Sequence, residues 1–181
     1  MRGLLSATRL IDTVNDAIGK AIGWLILAAV LISSGNAVVR YIFNASSNAW
    51  LEAQWYLFAA VFLLCAGYTL LRDEHIRIDI ITGRMSDKTR AWIDILGGIF
   101  FLLPAAVLIM SLAWPMVVDS YARHELSSDA GGLLRWPAKA LIPLGFLLLT
   151  LQALSELVKR IAFLTGHAPP PARRGAHAPL E

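Results

Sequence analysis

The sequence predicts an all-α membrane protein: four transmembrane helices preceded by an amphipathic interfacial helix, with both termini cytoplasmic. Three observations carry this. Four uncharged apolar stretches, roughly Ala21–Val39, Ala53–Leu71, Ile95–Val118 and Ala140–Ser155, approach the ~20 residues needed to cross ~30 Å of hydrocarbon. Of 181 residues, 57% are hydrophobic and 16% charged, and mean hydropathy is +0.60; soluble domains carry about 25% charged residues. The charges lie between the apolar runs, as membrane solvent requires.

Residues 1–20 form the first element. Leu4, Ala7, Ile11, Val14 and Ile18 fall on one helical stripe, with Arg9, Asp12, Thr13, Asp16 and Lys20 mostly elsewhere. That periodicity predicts an amphipathic helix lying along the cytoplasmic interface before the chain turns into the bilayer. Residues 21–163 form the four-helix domain. Residues 164–181, with Pro169-Pro170-Pro171 and no periodicity, predict a disordered cytoplasmic tail. The first apolar run lacks a cleavage pattern and reads as a retained helix rather than a signal peptide.

Lys and Arg in the connections set the orientation. The N-terminal segment carries Arg2, Arg9 and Lys20, and the first connection (44–50) carries none. The second connection carries Arg72, Arg77, Arg84, Lys88 and Arg90, the third Arg123 and Arg135, and the tail Lys159, Arg160, Arg173 and Arg174. The N-terminus, second connection and C-terminus are therefore expected inside. Arg40, at the outer end of the first span, runs against the rule, although a single arginine can snorkel to the headgroups. Trp24, Tyr41, Trp50, Trp92, Trp114 and Trp136 mark the span boundaries as an aromatic belt.

The span centres, near Ala29, Phe62, Val107 and Leu148, have no Asp, Glu, Lys, Arg or His close to them. A pump or self-contained transporter places such groups near the midplane. Ser33, Ser34, Asn36, Ser111, Thr150 and Gln152 are the polar exceptions, expected to bond between helices or to their own backbone. Pro104 and Pro143 predict kinks, and Gly97-Gly98 predicts close helix packing. Cys65, alone and mid-span, reads as packing. A haem anchor would need His or Met pairs within the bundle; His75, His124, His167 and His177 all lie outside the spans. No metal, phosphate-loop or nucleophile motif is present, so no cofactor is expected. The cations are divided among short loops, which fits membrane lipids rather than nucleic acid.

The polar motifs sit at the span ends. His75, Arg77 and Asp79 alternate with Ile76, Ile78 and Ile80, which reads as a short extended segment tying helix ends by ion pairs. Ser86 is expected to cap the third helix. Asp94 is placed to pair with Arg90 one turn earlier. Pro137 suits the first turn of the fourth span, and Lys139 can snorkel or bridge to a partner.

Several of these stretches carry a family likeness: Asn36 to Asn44 (NAVVRYIFN), Trp50-Leu51-Glu52, Glu74 to Asp79 (EHIRID), Arg90 to Asp94 (RAWID), Trp114-Pro115 and Trp136 to Phe146 (WPAKALIPLGF). In order and spacing the chain resembles the small membrane subunit (Q, or DctQ-type) of tripartite ATP-independent periplasmic (TRAP) transporters, from the first span to Lys159. Gln54 departs from the acidic residue common there, and the tail matches nothing. The resemblance implies a non-catalytic scaffold in the bacterial inner membrane. Its partners would be a large TRAP membrane subunit, which holds the sodium and substrate sites, and a periplasmic substrate-binding protein that delivers an organic acid. The residues expected to meet partners are Glu52, Arg123 and Lys139 outside, and His75, Arg77, Asp79 and Arg90 inside. The competing classes are a membrane anchor of a redox or other enzyme complex and an independent small channel.

Overall fold

The structure is a computed structural model that describes residues 2–45, 47–73 and 85–169. Among these the protein is helical, apart from one isolated antiparallel bridge between Leu126 and Leu134. Four helices carry it: α1 (Arg2–Phe43), α2 (Asn48–Arg72), α3 (Asp87–Ala122) and α4 (Trp136–Leu164). Each is long and apolar enough to cross a membrane, and each contains one of the expected spans.

The expected turn between an interfacial helix and the first span is absent. Arg2–Phe43 is one helix of 42 residues, about 63 Å long at ~1.5 Å per residue. Its burial explains the continuity. Thr8, Asn15, Ile22 and Ala29 are all 5% exposed or less. They recur every seven residues, the spacing that keeps one seam of a helix against its neighbours. Thr8 and Asn15, with the half-buried Asp12 and Asp16, therefore pack inward in the same seam as the span, while Arg9, Thr13 and Lys20 stay exposed. The apolar stripe points out, with Leu4 and Val14 exposed.

α2 ends where Asp73 adopts a left-handed conformation (φ 55°) and returns its N–H to Leu70 and Thr69 carbonyls. α3 begins as expected: the Ser86 hydroxyl accepts the Thr89 N–H at 3.2 Å. Within α3, Gly98–Leu102 form a π turn, closed by the Leu103 N–H on the Gly98 carbonyl. Pro104 follows. Proline lacks an N–H and its ring crowds the carbonyl four residues back, here that of Phe100. Widening the preceding turn by one residue accommodates both defects. Pro115 and Pro143 lie inside continuous helices.

α4 is the central helix. Of its most apolar window 39% is buried, against 11% for each of the other three. It packs on α1, α2 and α3, and α1 also packs on α2. Glycines permit the closest approaches. A Cβ at Gly145 would strike the Leu63 backbone, and one at Gly67 would meet Asn15 and the Leu148 carbonyl. Of the expected glycine pair, Gly98 faces Leu157 while Gly97 faces open space. The α4 helix ends at Leu164; the tail from residue 170 lies outside the described residues.

Candidate partner-facing sites at the two ends of the bundle

The antiparallel order brings the N-terminal half of α1, the end of α2, the start of α3 and the end of α4 to one end of the bundle. A polar network joins them. Asn15 Nδ2 donates to Gln152 Oε1 at 2.9 Å. Gln152 Nε2 and Ser155 Oγ each donate to Asp12 Oδ1 at 2.9 Å. Lys159 Nζ lies between Asp12 (2.9 Å) and Glu156 (2.6 Å). Asp16 pairs with Arg72 and, at 2.5 Å, with Lys20. Arg160, 9% exposed, meets Asp94 across helices at 3.1 Å. Asn15, Gln152 and Ser155 are all but fully buried. Buried polar groups in an apolar medium are tolerable only when they satisfy one another, so this network ties α1 to α4 and α4 to α3. Beside it, Gly97 and Gly98 line a groove of about 290 Å³ whose apolar walls include Leu70, Ile93, Leu102 and Leu157.

At the opposite end, residues 125–135 form a small hairpin. The Ser127 N–H bonds the Leu133 carbonyl at 3.0 Å and the Arg135 N–H bonds the Glu125 carbonyl at 2.9 Å. Gly131 supplies the positive φ (74°) at its tip, where a side chain would be strained. The hairpin lies over the start of α2. Glu52 accepts the Ser127 hydroxyl and, at 2.6 Å, the Leu133 N–H. Asn48 donates to the Ala130 carbonyl at 3.0 Å and the Tyr56 hydroxyl to the Leu134 carbonyl at 3.1 Å. Lys139 pairs with Glu125. That ammonium holds the Glu125 carboxyl below the usual carboxylate range.

The residues singled out from sequence separate on this geometry. Glu52 is 6% exposed and its carboxylate is engaged within the chain. Lys139 is turned to Glu125 and is three-quarters buried. Arg123 is exposed and pairs with Asp119 at 2.7 Å, one turn back on α3. Arg90 is half-buried in the first turn of α3, its N–H on the Ser86 carbonyl. His75, Arg77 and Asp79 lie outside the described residues. Asp94, placed from sequence beside Arg90, bonds Arg160 of α4. The network around Asn15 was not legible from the apolar stripe of α1. The seven-residue spacing of Thr8, Asn15, Ile22 and Ala29 is the signal that marks it.

The geometry defines a class: a four-helix membrane protein whose charged groups are gathered at the bundle's two ends. Comparison with protein families makes it narrower. The model described as "Tripartite ATP-independent periplasmic transporters, DctQ component" matches residues 21–163. The chain belongs to the DctQ family and is a membrane component of a TRAP transporter. No curated protein and no solved structure matches it.

Proposed function

We propose that this chain is the non-catalytic scaffold subunit of a sodium-coupled importer of an organic acid. The large membrane subunit carries the substrate and sodium sites, and a periplasmic binding protein delivers the substrate. The observation that carries the reading is where the polar side chains are used. Asp12, Asp16, Arg72, Asp94, Lys159 and Arg160 are engaged in cross-helix ion pairs at one end, and Glu52, Glu125 and Lys139 brace the hairpin at the other. Between them the helices meet on Ala60, Ala106, Gly145 and Ala153. A bundle braced at both ends and closely packed between suits an immobile support for a moving neighbour.

The protein sits in the bacterial inner membrane with both termini cytoplasmic, in agreement with the distribution of Lys and Arg. The Asn15–Gln152 end then faces the cytoplasm and the hairpin faces the periplasm. The outward apolar stripe of residues 2–20, with Leu4, Leu10 and Val14 exposed, lies against lipid at the cytoplasmic interface. Arg123 is the outer residue open to a partner, and Arg90, with His75, Arg77 and Asp79, forms the inner set. Glu52 and Lys139 act on a partner through the hairpin they shape.

Reconstitution tests this. Liposomes holding the chain, the large subunit and the binding protein should take up substrate down a sodium gradient, and liposomes holding the chain alone should not. Uptake by the chain alone, or undiminished uptake without it, would refute the scaffold role. Deleting residues 1–18 should reduce assembly, because it removes Asp12, Asn15 and Asp16.

A further inference from the structure

α2 and α3 both pack on α4 but scarcely on each other. Between them, at the end of the bundle that holds the polar network, runs the groove of about 290 Å³. Ala153, Glu156, Leu157 and Arg160 form its floor, one stripe of α4 at helical spacing. Leu70 of α2 lines one side, and Asp94, Gly97, Gly98 and Leu102 of α3 the other. The two glycines keep the slot open. A Cβ at Gly97 would meet nothing within 4 Å, and one at Gly98 would meet only the Leu157 side chain. The groove is polar at one end alone. Asp94 and Arg160 stand at its mouth, with the Glu156 carboxylate just inside. From Asp94 to Leu102 the α3 wall runs about 12 Å, at ~1.5 Å per residue, with no further charged side chain.

Arg160 is the side chain that this arrangement leaves short of acceptors. It is 9% exposed. Its Nε lies 3.1 Å from Asp94 Oδ2 but is buried without an aligned acceptor. Its Nη2 is 3.9 Å from Glu156, beyond hydrogen-bond reach. A guanidinium carries five N–H donors in a fork that matches a phosphate. A lone anion does not suit the site, because the carboxylates of Asp94 and Glu156 repel it. A headgroup with an ammonium beside its phosphate meets both signs. Behind it the slot is apolar, and such a slot does not hold water. The acyl chain attached to the same headgroup has the length and chemistry to fill it.

We propose that this groove binds one phospholipid whose headgroup carries a primary ammonium, phosphatidylethanolamine. Its phosphate takes the free donors of Arg160, its ammonium lies against Glu156, and one acyl chain runs over Gly97 and Gly98 toward Leu102. The lipid fills the cleft between α2 and α3 and joins two helices that barely touch. The site needs only that this end of the bundle reach a headgroup layer, so it stands apart from the scaffold reading. Gly97 and Gly98 then serve to admit a lipid chain as well as to let α3 approach α4.

The test uses the full chain, purified in detergent and stripped of lipid. It is titrated with phosphatidylethanolamine, phosphatidylglycerol or phosphatidylcholine, and bound lipid is counted by native mass spectrometry. One phosphatidylethanolamine per chain should be retained where the other two bind at least fivefold less, since one lacks the ammonium and the other its N–H donors. Gly97→Leu sends a side chain into the open slot and should lower phosphatidylethanolamine binding about tenfold, with thermal unfolding of the lipid-free chain unchanged. Arg160→Gln should lower it as much. That variant also loses the contact with Asp94, so if it fails to fold, Gly97→Leu still decides. Equal retention of the three lipids, or retention of none, would overturn the proposal, as would undiminished binding in Gly97→Leu. Displacement of the lipid by glycerophosphoethanolamine at equal concentration would overturn it too, because the slot would then have no part in binding. Loss of the lipid when the chain is purified together with a large subunit would give the groove to that partner instead.

Discussion

The carboxylate of Glu52 accepts the Leu133 N–H at 2.6 Å, joining the first turn of α2 to a hairpin 81 residues later. The same carboxylate takes the Ser127 hydroxyl, so one side chain bonds both arms of the hairpin. Two substitutions separate charge from hydrogen bonding. Glu52→Gln keeps one acceptor oxygen for the Leu133 N–H, and its amide can donate to Ser127, whose hydroxyl is free to turn and accept. Glu52→Ala leaves both donors without a partner. Limited proteolysis within residues 123–135 should therefore be several-fold faster in Glu52→Ala than in the parent, with Glu52→Gln between them. Equal rates in all three would show that the hairpin holds without Glu52.

Asn15 and Gln152 bond each other 137 residues apart, both almost fully buried. In a membrane bundle such a bond contributes about 0.6 kcal/mol on average and rarely more than ~1.7, because the separated helices find other partners. Gln152 also reaches Asp12, so its removal should cost more than that of Asn15. A cycle of Asn15→Leu, Gln152→Leu and the double variant, read by unfolding in detergent, should return a coupling of about 0.5–2 kcal/mol. A coupling near zero would mean that the two side chains merely sit side by side.

The four spans were legible because a run of ~20 apolar residues has one physical use in a chain this sparing of charge. The Ser86 cap and Pro137 in the first turn of α4 were legible for the same reason: each depends on a few neighbouring residues. What escaped depended on which face of a helix met which neighbour. The apolar stripe of residues 2–20 was visible, but a stripe can face lipid while the polar side packs on protein. Only the partner helix, with Gln152, Ser155 and Lys159 on it, decides that. Glu52 looked like a surface charge because nothing near it in sequence could engage it; Leu133 and Ser127 arrive from beyond α3. Asp94 could be matched to Arg90 by local spacing, but its contact with Arg160 of α4 comes only through the fold.

Glycine substitutions should sort by what faces them. At Gly67 a methyl would press on the Asn15 side chain and the Leu148 carbonyl, and at Gly145 on the Leu63 backbone. Backbone cannot swing aside, so Gly67→Ala and Gly145→Ala should each destabilise by about 1–3 kcal/mol, the usual cost of overpacking. Gly23 and Gly35 face nothing within 4 Å. There Ala should be neutral or stabilise the helix by up to about 1 kcal/mol. Thermal unfolding of the four variants in one detergent checks both halves.

The pairing of Lys139 with Glu125 has a pH signature of definite sign. The ammonium holds the Glu125 carboxyl below its ordinary value when the chain is folded; in the unfolded chain the group titrates near ~4.3. The unfolded state therefore binds the proton more readily. The pair's stabilisation is complete above the unfolded pKa and is lost as pH falls through the folded one. Glu125→Gln mimics the protonated form at every pH. The difference in melting temperature between parent and variant should be largest near neutrality and close as pH drops below about 4. The side chains are 25% and 36% exposed, so raising the salt concentration at neutral pH should narrow the same gap by screening. A gap that persists unchanged at low pH would show that Glu125 contributes through packing rather than charge. A gap that widens there would mean its carboxyl is raised on folding, contrary to the contact with Lys139.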